Sequence, residues 1–153
     1  MRVQRILQTH APASIILIRF MVGLVFLSEG VQKFLFPDIR GVGRFIKIGL
    51  PEPEFLANFV AVFEVTCGTL IVLGLLTRLA VIPTITIMVV AISTTKLPML
   101  STEGFWEMAH AARTDFSMLL GSILSLLLGA GRWSIDAVLS VDCRPVAFKC
   151  TEH

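Results

Sequence analysis

Four apolar segments, interrupted by a few ionisable residues, constrain the fold of this chain more than any other feature. They cover residues 14–36, 55–76, 79–96 and 115–130, and the last is the shortest. Hydrophobic residues make up 55% of the chain and charged residues only 16%, which is typical of integral membrane proteins. Because backbone polar groups in hydrocarbon must bond within their own segment, each segment is predicted to be a helix. The predicted fold class is therefore all-α, a transmembrane four-helix bundle.

The two ends of the chain are consistent with a single membrane domain. Residues 1–137 are predicted to form it, and residues 138–153 are predicted to be a short cytoplasmic tail. Arg2, Arg5 and His10 precede the first segment as in a signal peptide, but the apolar stretch is too long and shows no clear small-x-small cleavage motif. The first segment is therefore predicted to be a retained span.

The connections between segments predict how the helices neighbour one another. Thr77-Arg78 predicts a very tight turn, which makes the second and third spans antiparallel neighbours, with Pro83 in the first turn of the third span. Residues 37–54 mix Ile, Val and Phe with Arg and Lys, a pattern typical of a short interfacial amphipathic helix. Residues 97–114 lie on the same side by connectivity. We expect the two connections to form a lid over one end of the bundle.

Positively charged residues predict the orientation of the bundle. An even number of spans places both termini on one face, which holds six Lys and Arg residues outside the spans: Arg2, Arg5, Arg78, Arg132, Arg144 and Lys149. The other face holds four: Arg40, Arg44, Lys47 and Arg113. The positive-inside rule therefore predicts a multi-pass membrane protein with both termini in the cytoplasm.

Three ionisable residues lie at membrane depth and at a similar level: Glu29, Lys33 and Glu64. Such groups are expensive unless paired or hydrated, so they indicate a polar interior. Lys33 lies one helical turn after Glu29, the favourable order for an intrahelical pair. Glu64 has no charged residue at i±3 or i±4, so it needs a partner from another helix or is protonated. We expect a cavity opening outward, with Glu29 ionised beside Lys33 and Glu64 as the neutral acid that donates to a ligand carbonyl.

Lys96 and His110 fall in the same outer half of the bundle and complete the predicted ligand-binding set of Glu29, Lys33, Glu64, Lys96 and His110. Each has a structural alternative. Lys96, like Arg19 at the opposite end of the first span, is placed to snorkel to the interface. The alternative for His110 is an ordinary loop residue at the surface. For Glu29 and Lys33, the alternative is a purely structural ion pair that fixes the register of the helices in the bundle.

No cofactor or metal motif accompanies these groups. Cys67 lies mid-span, and Cys143 and Cys150 lie in the tail without the spacing of a zinc or redox motif, so no metal site is predicted. Dinucleotide and phosphate-binding fingerprints are absent from the sequence, so no cofactor is expected within the chain. Arg and Lys are scattered rather than gathered into a basic stripe, which argues against nucleic acid as a partner.

An ordered set of short motifs runs along the chain: Arg19-x3-Gly23-x6-Gly30-x2-Lys33-Phe34, Leu50-Pro51-x-Pro53, Glu64-x3-Gly68, Gly74-x2-Thr77-Arg78 and Gly131-Arg132-Trp133-Ser134-Ile135-Asp136. In this order the motifs resemble the DoxX family of small four-helix bacterial membrane proteins, over residues 15–137. The resemblance implies a location in the bacterial cytoplasmic (inner) membrane. It also implies an association with redox or sulfur chemistry, because family members take their name from a thiosulfate:quinone oxidoreductase subunit. Others are linked to membrane complexes with a superoxide dismutase and a sulfurtransferase.

Three functions are consistent with a polar interior and this resemblance. The first is an accessory subunit that binds a quinone-like ligand or a partner protein in support of an oxidoreductase system. The second is a component of a small-molecule or proton carrier, for which four spans are few unless the protein forms a homo-oligomer. The third is a quinone-reactive enzyme in which Glu29 or Glu64 handles protons. Expected partners are membrane lipids, redox-enzyme subunits and further copies of the chain.

Overall fold

Four long helices form the bundle, as the sequence predicts. The structure is a computed structural model that describes residues 14–142. The helices are α1 (Ile15–Leu35), α2 (Val42–Ile48), α3 (Pro53–Leu73), α4 (Thr77–Ala91), a π-helical segment (Ile92–Lys96), α5 (Leu97–Thr102), α6 (Phe105–Leu128) and α7 (Ile135–Asp142). Helices α1, α3 and α6, together with the continuous stretch Thr77–Thr102, are long and apolar enough to cross a membrane. No strand occurs within residues 14–142, so the all-α fold class and the short amphipathic helix, α2, are confirmed.

Glycines set the close approach of α1 and α3. Gly23 and Gly68 face each other: a Cβ on Gly68 would lie 2.7 Å from the backbone nitrogen of Leu27 and 2.9 Å from the carbonyl oxygen of Gly23. One level nearer α2, a Cβ on Gly30 would lie 2.9 Å from the carbonyl oxygen of Ala61. Backbones in contact leave no room for larger residues, as is common between membrane helices.

Two helix boundaries at the connection between α3 and α4 differ from the sequence predictions. Helix α3 ends at Leu73 with Gly74 in the left-handed conformation, so Thr77 and Arg78 begin α4 instead of forming the turn. Pro83 accordingly lies inside α4, beyond its first turn. A left-handed glycine after the last helical residue is a common helix stop, which accounts for the earlier end of α3.

Residues 97–114, one of the two connections expected to form a lid, are almost entirely helical. Helix α5 occupies its first part, and α6 already begins at Phe105, ten residues before the predicted start of the fourth span at Asp115. Glu107, His110 and Arg113 lower the hydropathy of these first turns, so the apolar pattern marks only the part of α6 that follows them. A helix that begins outside the hydrocarbon needs no apolar residues there.

Arg19 joins the elements at the end of the bundle that carries α7, hereafter the α7 end. Its guanidinium donates to the carbonyl oxygens of Ala130 at 2.7 Å, Trp133 at 2.9 Å and Val72 at 3.1 Å. The side chain is buried, so the expectation that Arg19 snorkels to the interface is wrong. Three carbonyls left free by helix ends and a turn accept from the two terminal nitrogens of this charge inside the protein, whereas its buried Nε has no hydrogen-bond partner within the described residues.

Asp136 closes the same end from the other side. Its carboxylate accepts hydrogen bonds from the backbone N–H of Leu76 at 2.7 Å and of Thr77 at 3.1 Å, at the start of α4. A carboxylate at a helix N-terminus satisfies free donors and favours the helix dipole. The α7 end is thus held by a polar network that links α1, the α3–α4 turn and the loop before α7.

The domain division after residue 137 stays a prediction, although α7 (Ile135–Asp142) runs through that position. Several residues used in the sequence analysis lie outside the described residues: Arg2, Arg5, His10, Cys143, Arg144, Lys149, Cys150 and His153. The short amphipathic helix α2 lies at the other end of the bundle, hereafter the α2 end.

Candidate functional site

A cavity of about 390 Å³ lies in the half of the bundle nearer α2. Helices α1 and α3 line it on one side, α4 and the π-helical segment on another, and α2 covers part of it. Most of its wall is apolar and includes Val25, Phe26, Leu56, Phe59, Val60 and Met88. Its polar lining consists of Glu29, Lys33, Arg44, Glu64, Thr86 and Thr95. An apolar pocket with a few polar groups is the usual form of a small-molecule site.

The polar centre of this cavity is an ion pair between Lys33 of α1 and Glu64 of α3. The Lys33 ammonium donates to Glu64 Oε2, and the side chains are only 9% and 3% exposed. The expected pairing of Lys33 with Glu29 is therefore wrong. Helical side chains lean toward their own N-terminus, so in antiparallel α1 and α3 these two side chains lean toward each other. The close approach at Gly30 brings the two helices within reach at this level.

Glu29 lines the cavity but pairs outward. One of its carboxylate oxygens lies 4.0 Å from the Arg40 guanidinium; the Arg40 side chain is exposed and that of Glu29 is partly exposed. An exposed pair at this distance contributes about 0–1 kcal/mol to stability. Of the two acids that line the cavity, Glu64 is fixed by a buried ion pair, whereas Glu29 has only a long and weak one.

Helix α2 contributes three residues to the cavity that sequence reasoning did not assign to the site: Arg44, Phe45 and Ile48. The sequence carried a signal for them, because positions 44, 45 and 48 share one face of a short helix. Arg44 is half-buried, and its side chain has no hydrogen bond or ion pair with any other residue of the described chain. It faces the cavity without a protein partner.

The other two residues of the predicted ligand-binding set do not line the cavity. Lys96, the last residue of the π-helical segment, pairs with Asp115 of α6 at 3.5 Å. His110 is exposed near the start of α6, where its Nδ1 lies 3.5 Å from the Arg113 guanidinium. The cavity therefore brings together Glu29, Lys33 and Glu64 and leaves Lys96 and His110 outside.

No group of three His, Cys, Asp or Glu side chains that could hold a metal ion occurs between residues 14 and 142. Cys67 is buried on α3 as a free thiol. Cys143 and Cys150 lie outside the described residues, so their role stays open.

The fold and the cavity define a class: four-helix membrane proteins with a buried ion pair beside an apolar chamber. The family model of DoxX matches residues 14–97, and this chain belongs to the DoxX family. It is 56% identical over 142 residues to a protein of Mycobacterium tuberculosis described as an uncharacterized membrane protein, covering 89% of this chain and 87% of that relative. Residues 14–97, which the family model matches, include Glu29, Lys33, Arg44 and Glu64 of the cavity.

A second relative is more distant. A Bacillus subtilis protein named "Putative oxidoreductase CatD" is 31% identical over 124 residues, which cover 79% of this chain and 83% of that protein. No solved structure matches the chain significantly. Membership of the family and the four-helix membrane architecture follow from these comparisons and the fold together.

Proposed function

We propose that the protein is a ligand-binding accessory subunit of a membrane redox system. In this proposal the cavity holds a small lipid-soluble molecule with an oxygen-bearing head group, such as a quinone. The observation that carries the proposal is the Lys33–Glu64 pair at the wall of an apolar chamber. A buried ion pair seldom adds stability over apolar residues of the same volume, so its presence at a cavity wall favours a role in binding.

The pair offers both kinds of hydrogen bond to a ligand. The Lys33 ammonium has three N–H donors, and one goes to Glu64. The second carboxylate oxygen of Glu64 accepts no hydrogen bond within the described residues. A ligand carbonyl can therefore accept from Lys33 while a ligand hydroxyl donates to Glu64. A quinone and its reduced form present these two groups.

The redox connection is supported by the name of the Bacillus subtilis relative and by the family. An accessory role, rather than a self-sufficient enzyme, is supported by the sequence, which has no cofactor fingerprint. A carrier or channel role is less well supported. The cavity lies toward the α2 end, whereas Arg19 and its carbonyl partners fill the α7 end.

The test is purification in mild detergent, followed by solvent extraction and mass spectrometry of what accompanies the protein. We expect a lipid-soluble molecule with an oxygen-bearing head at near-stoichiometric amount, reduced in the Lys33→Met and Glu64→Leu variants. Lys96→Met is the matched control, because it removes an ion-paired lysine of the same half of the bundle that does not line the cavity. Equal recovery from all variants would contradict a site at the Lys33–Glu64 pair.

The redox role needs a separate measurement. Deleting the gene in a bacterium that carries it is expected to lower quinone-dependent respiration, and the Lys33→Met variant should fail to restore it although the protein reaches the membrane. Unchanged respiration in the deletion strain would contradict the redox role while leaving ligand binding intact.

A further inference from the structure

Arg44 is the one cavity-lining cation without a protein partner in the described chain. Lys33 pairs with Glu64, and Arg40 lies beside Glu29, but no hydrogen bond or ion pair is made by the Arg44 side chain. A guanidinium has five N–H donors and stays charged under all ordinary conditions. A half-buried guanidinium facing an apolar chamber is therefore left to bind water or a ligand.

The charges around the chamber leave one positive charge uncompensated. Glu64 is balanced by Lys33 and Glu29 by Arg40, and the remaining charged residue on the wall is Arg44. Arg44 also lies within electrostatic range of Glu64, so it contributes to the field at the ion pair. A ligand with one negative charge would make the occupied site neutral, whereas an uncharged ligand would leave the charge of Arg44 uncompensated.

We propose that the cavity binds an amphiphile with an acidic head group, a carboxylate or a phosphate, that pairs with the Arg44 guanidinium. This inference rests on the proposed function and narrows the oxygen-bearing head group of its ligand to an acidic one, in place of the quinone given there as an example. The head lies between Arg44 and the Lys33–Glu64 pair, and the apolar chain lies along Phe26, Phe59 and Val60. Planar guanidinium groups bind carboxylate and phosphate through two parallel hydrogen bonds, which makes arginine the fitting residue.

The size of the cavity agrees with such a ligand. A volume of about 390 Å³ is at the lower end for small-molecule pockets, so it takes a head group and part of one chain. The acidic head can come from a free single-chain acid or from an anionic phospholipid whose chains extend into the bilayer. Both present the same chemistry to Arg44.

Photocrosslinking tests this inference on the full-length protein in phosphatidylcholine nanodiscs. Four probes carry a photoreactive diazirine on the apolar chain: a fatty acid, the fatty alcohol of equal length, phosphatidylglycerol and a quinone. Mass spectrometry of the labelled protein measures how much label falls on the cavity wall. The wild type is compared with Arg44→Gln, Arg44→Lys and Lys47→Gln. Lys47 is the matched control, since it is an exposed cation on the same short helix that does not line the cavity.

We expect the acid to label the cavity more than the alcohol does. Arg44→Gln should lower labelling by the acid roughly tenfold, which is the usual loss of affinity when one charge-assisted hydrogen bond is removed. Arg44→Lys should retain part of the labelling and Lys47→Gln all of it. Arg44-dependent labelling by phosphatidylglycerol identifies the membrane lipid as the source, and labelling by the free acid alone identifies a single-chain acid.

Two results overturn the inference: equal labelling by acid and alcohol, or equal losses in Arg44→Gln and Lys47→Gln. If the alcohol or the quinone still labels the cavity, the proposed function survives without the acidic head. If no probe labels the cavity wall, the proposed function fails as well. Melting temperatures of the purified variants show whether each variant is folded.

Discussion

Lys33 of α1 bonds to Glu64 of α3, not to Glu29 on its own helix. The pair therefore links two neighbouring helices at the wall of the cavity, and both side chains are shielded from solvent. An interhelical pair of this kind couples the packing of α1 and α3 to the shape of the site.

This coupling predicts a strong departure from additivity. Lys33→Met or Glu64→Gln alone leaves an unpaired polar group in the interior, so each is expected to lower the free energy of unfolding. For Lys33→Met, which leaves a buried carboxylate without its partner, we expect a loss of about 3 kcal/mol or more. The double variant should lose about 1–3 kcal/mol less than the sum of the two. Reversible unfolding in mixed micelles measures the three values. The same cycle on Lys96 and Asp115, which are more exposed, should give a coupling below about 1 kcal/mol. Strict additivity at Lys33 and Glu64 would mean that the two groups do not meet.

The glycine contacts predict which small residues tolerate a methyl group. Gly68→Ala places its Cβ 2.7 Å from the backbone nitrogen of Leu27, so α1 and α3 must separate. We expect a loss of about 1–3 kcal/mol in stability. Gly121→Ala on α6 is the comparison variant: its Cβ would lie 2.6 Å from Cγ2 of the buried Val22, so a side chain has to shift but no backbone of another helix. Thermal melts in detergent should rank Gly68→Ala well below Gly121→Ala, and the reverse order would contradict the packing of α1 on α3.

Gly74 and Gly49 form a second matched pair. Both follow a helix in the left-handed conformation, with φ of 70° and 75°, so alanine carries the same backbone penalty of about 1–2 kcal/mol at either position. A Cβ on Gly74 would also lie 2.6 Å from the Arg19 guanidinium, whereas a Cβ on Gly49 meets nothing within 4 Å. We expect Gly74→Ala to be less stable than Gly49→Ala by at least about 1 kcal/mol. Equal melting temperatures would show that Arg19 does not occupy this place.

The charge distribution predicts the orientation of the bundle in the membrane. Because Asp136 bonds to the start of α4, the α3–α4 turn and α7 share one end of the bundle. We expect this end to face the cytoplasm. Reporter fusions at Thr77 and His153 should both give cytoplasmic signals, and a fusion within the connection at Glu103 should give the opposite signal. A periplasmic signal at Thr77 or His153 would overturn this orientation.

The sequence predicted the helices better than their ends. Segment length and apolar composition are enough to find four spans, and the alternation of Arg and Lys with apolar residues is enough to find α2. The start of α6 at Phe105 was missed because Glu107, His110 and Arg113 lie in its first turns. Hydropathy reports which residues lie in hydrocarbon, and it does not report where a helix begins.

Only part of the site was predictable from the sequence: Glu29, Lys33 and Glu64 line the cavity, whereas Lys96 and His110 do not. The similar depth of Glu29, Lys33 and Glu64 in their spans indicated a common site. The choice between Glu29 and Glu64 as the partner of Lys33 depends on how α1 and α3 approach at Gly30. From the sequence, Arg44 contributes only to the charge balance between the two faces, because the side of α2 that meets the cavity is defined only once the bundle is assembled. The sequence likewise favours an interfacial position for Arg19, because its carbonyl partners lie up to 114 residues away and meet it only in the folded bundle.

The π-helical segment Ile92–Lys96 bears on how the length of this chain can vary. A π turn carries one residue more than an α turn, so the segment accommodates an extra residue inside a membrane span. Deleting one residue there lets the span become a continuous α-helix. Thr86 and the residues after Lys96 then stay on the same sides of the helix as before. A deletion elsewhere in the span turns one side of the helix by about 100° relative to the other. Differences of one residue between homologous genes should therefore be tolerated within this segment and selected against in the rest of the span.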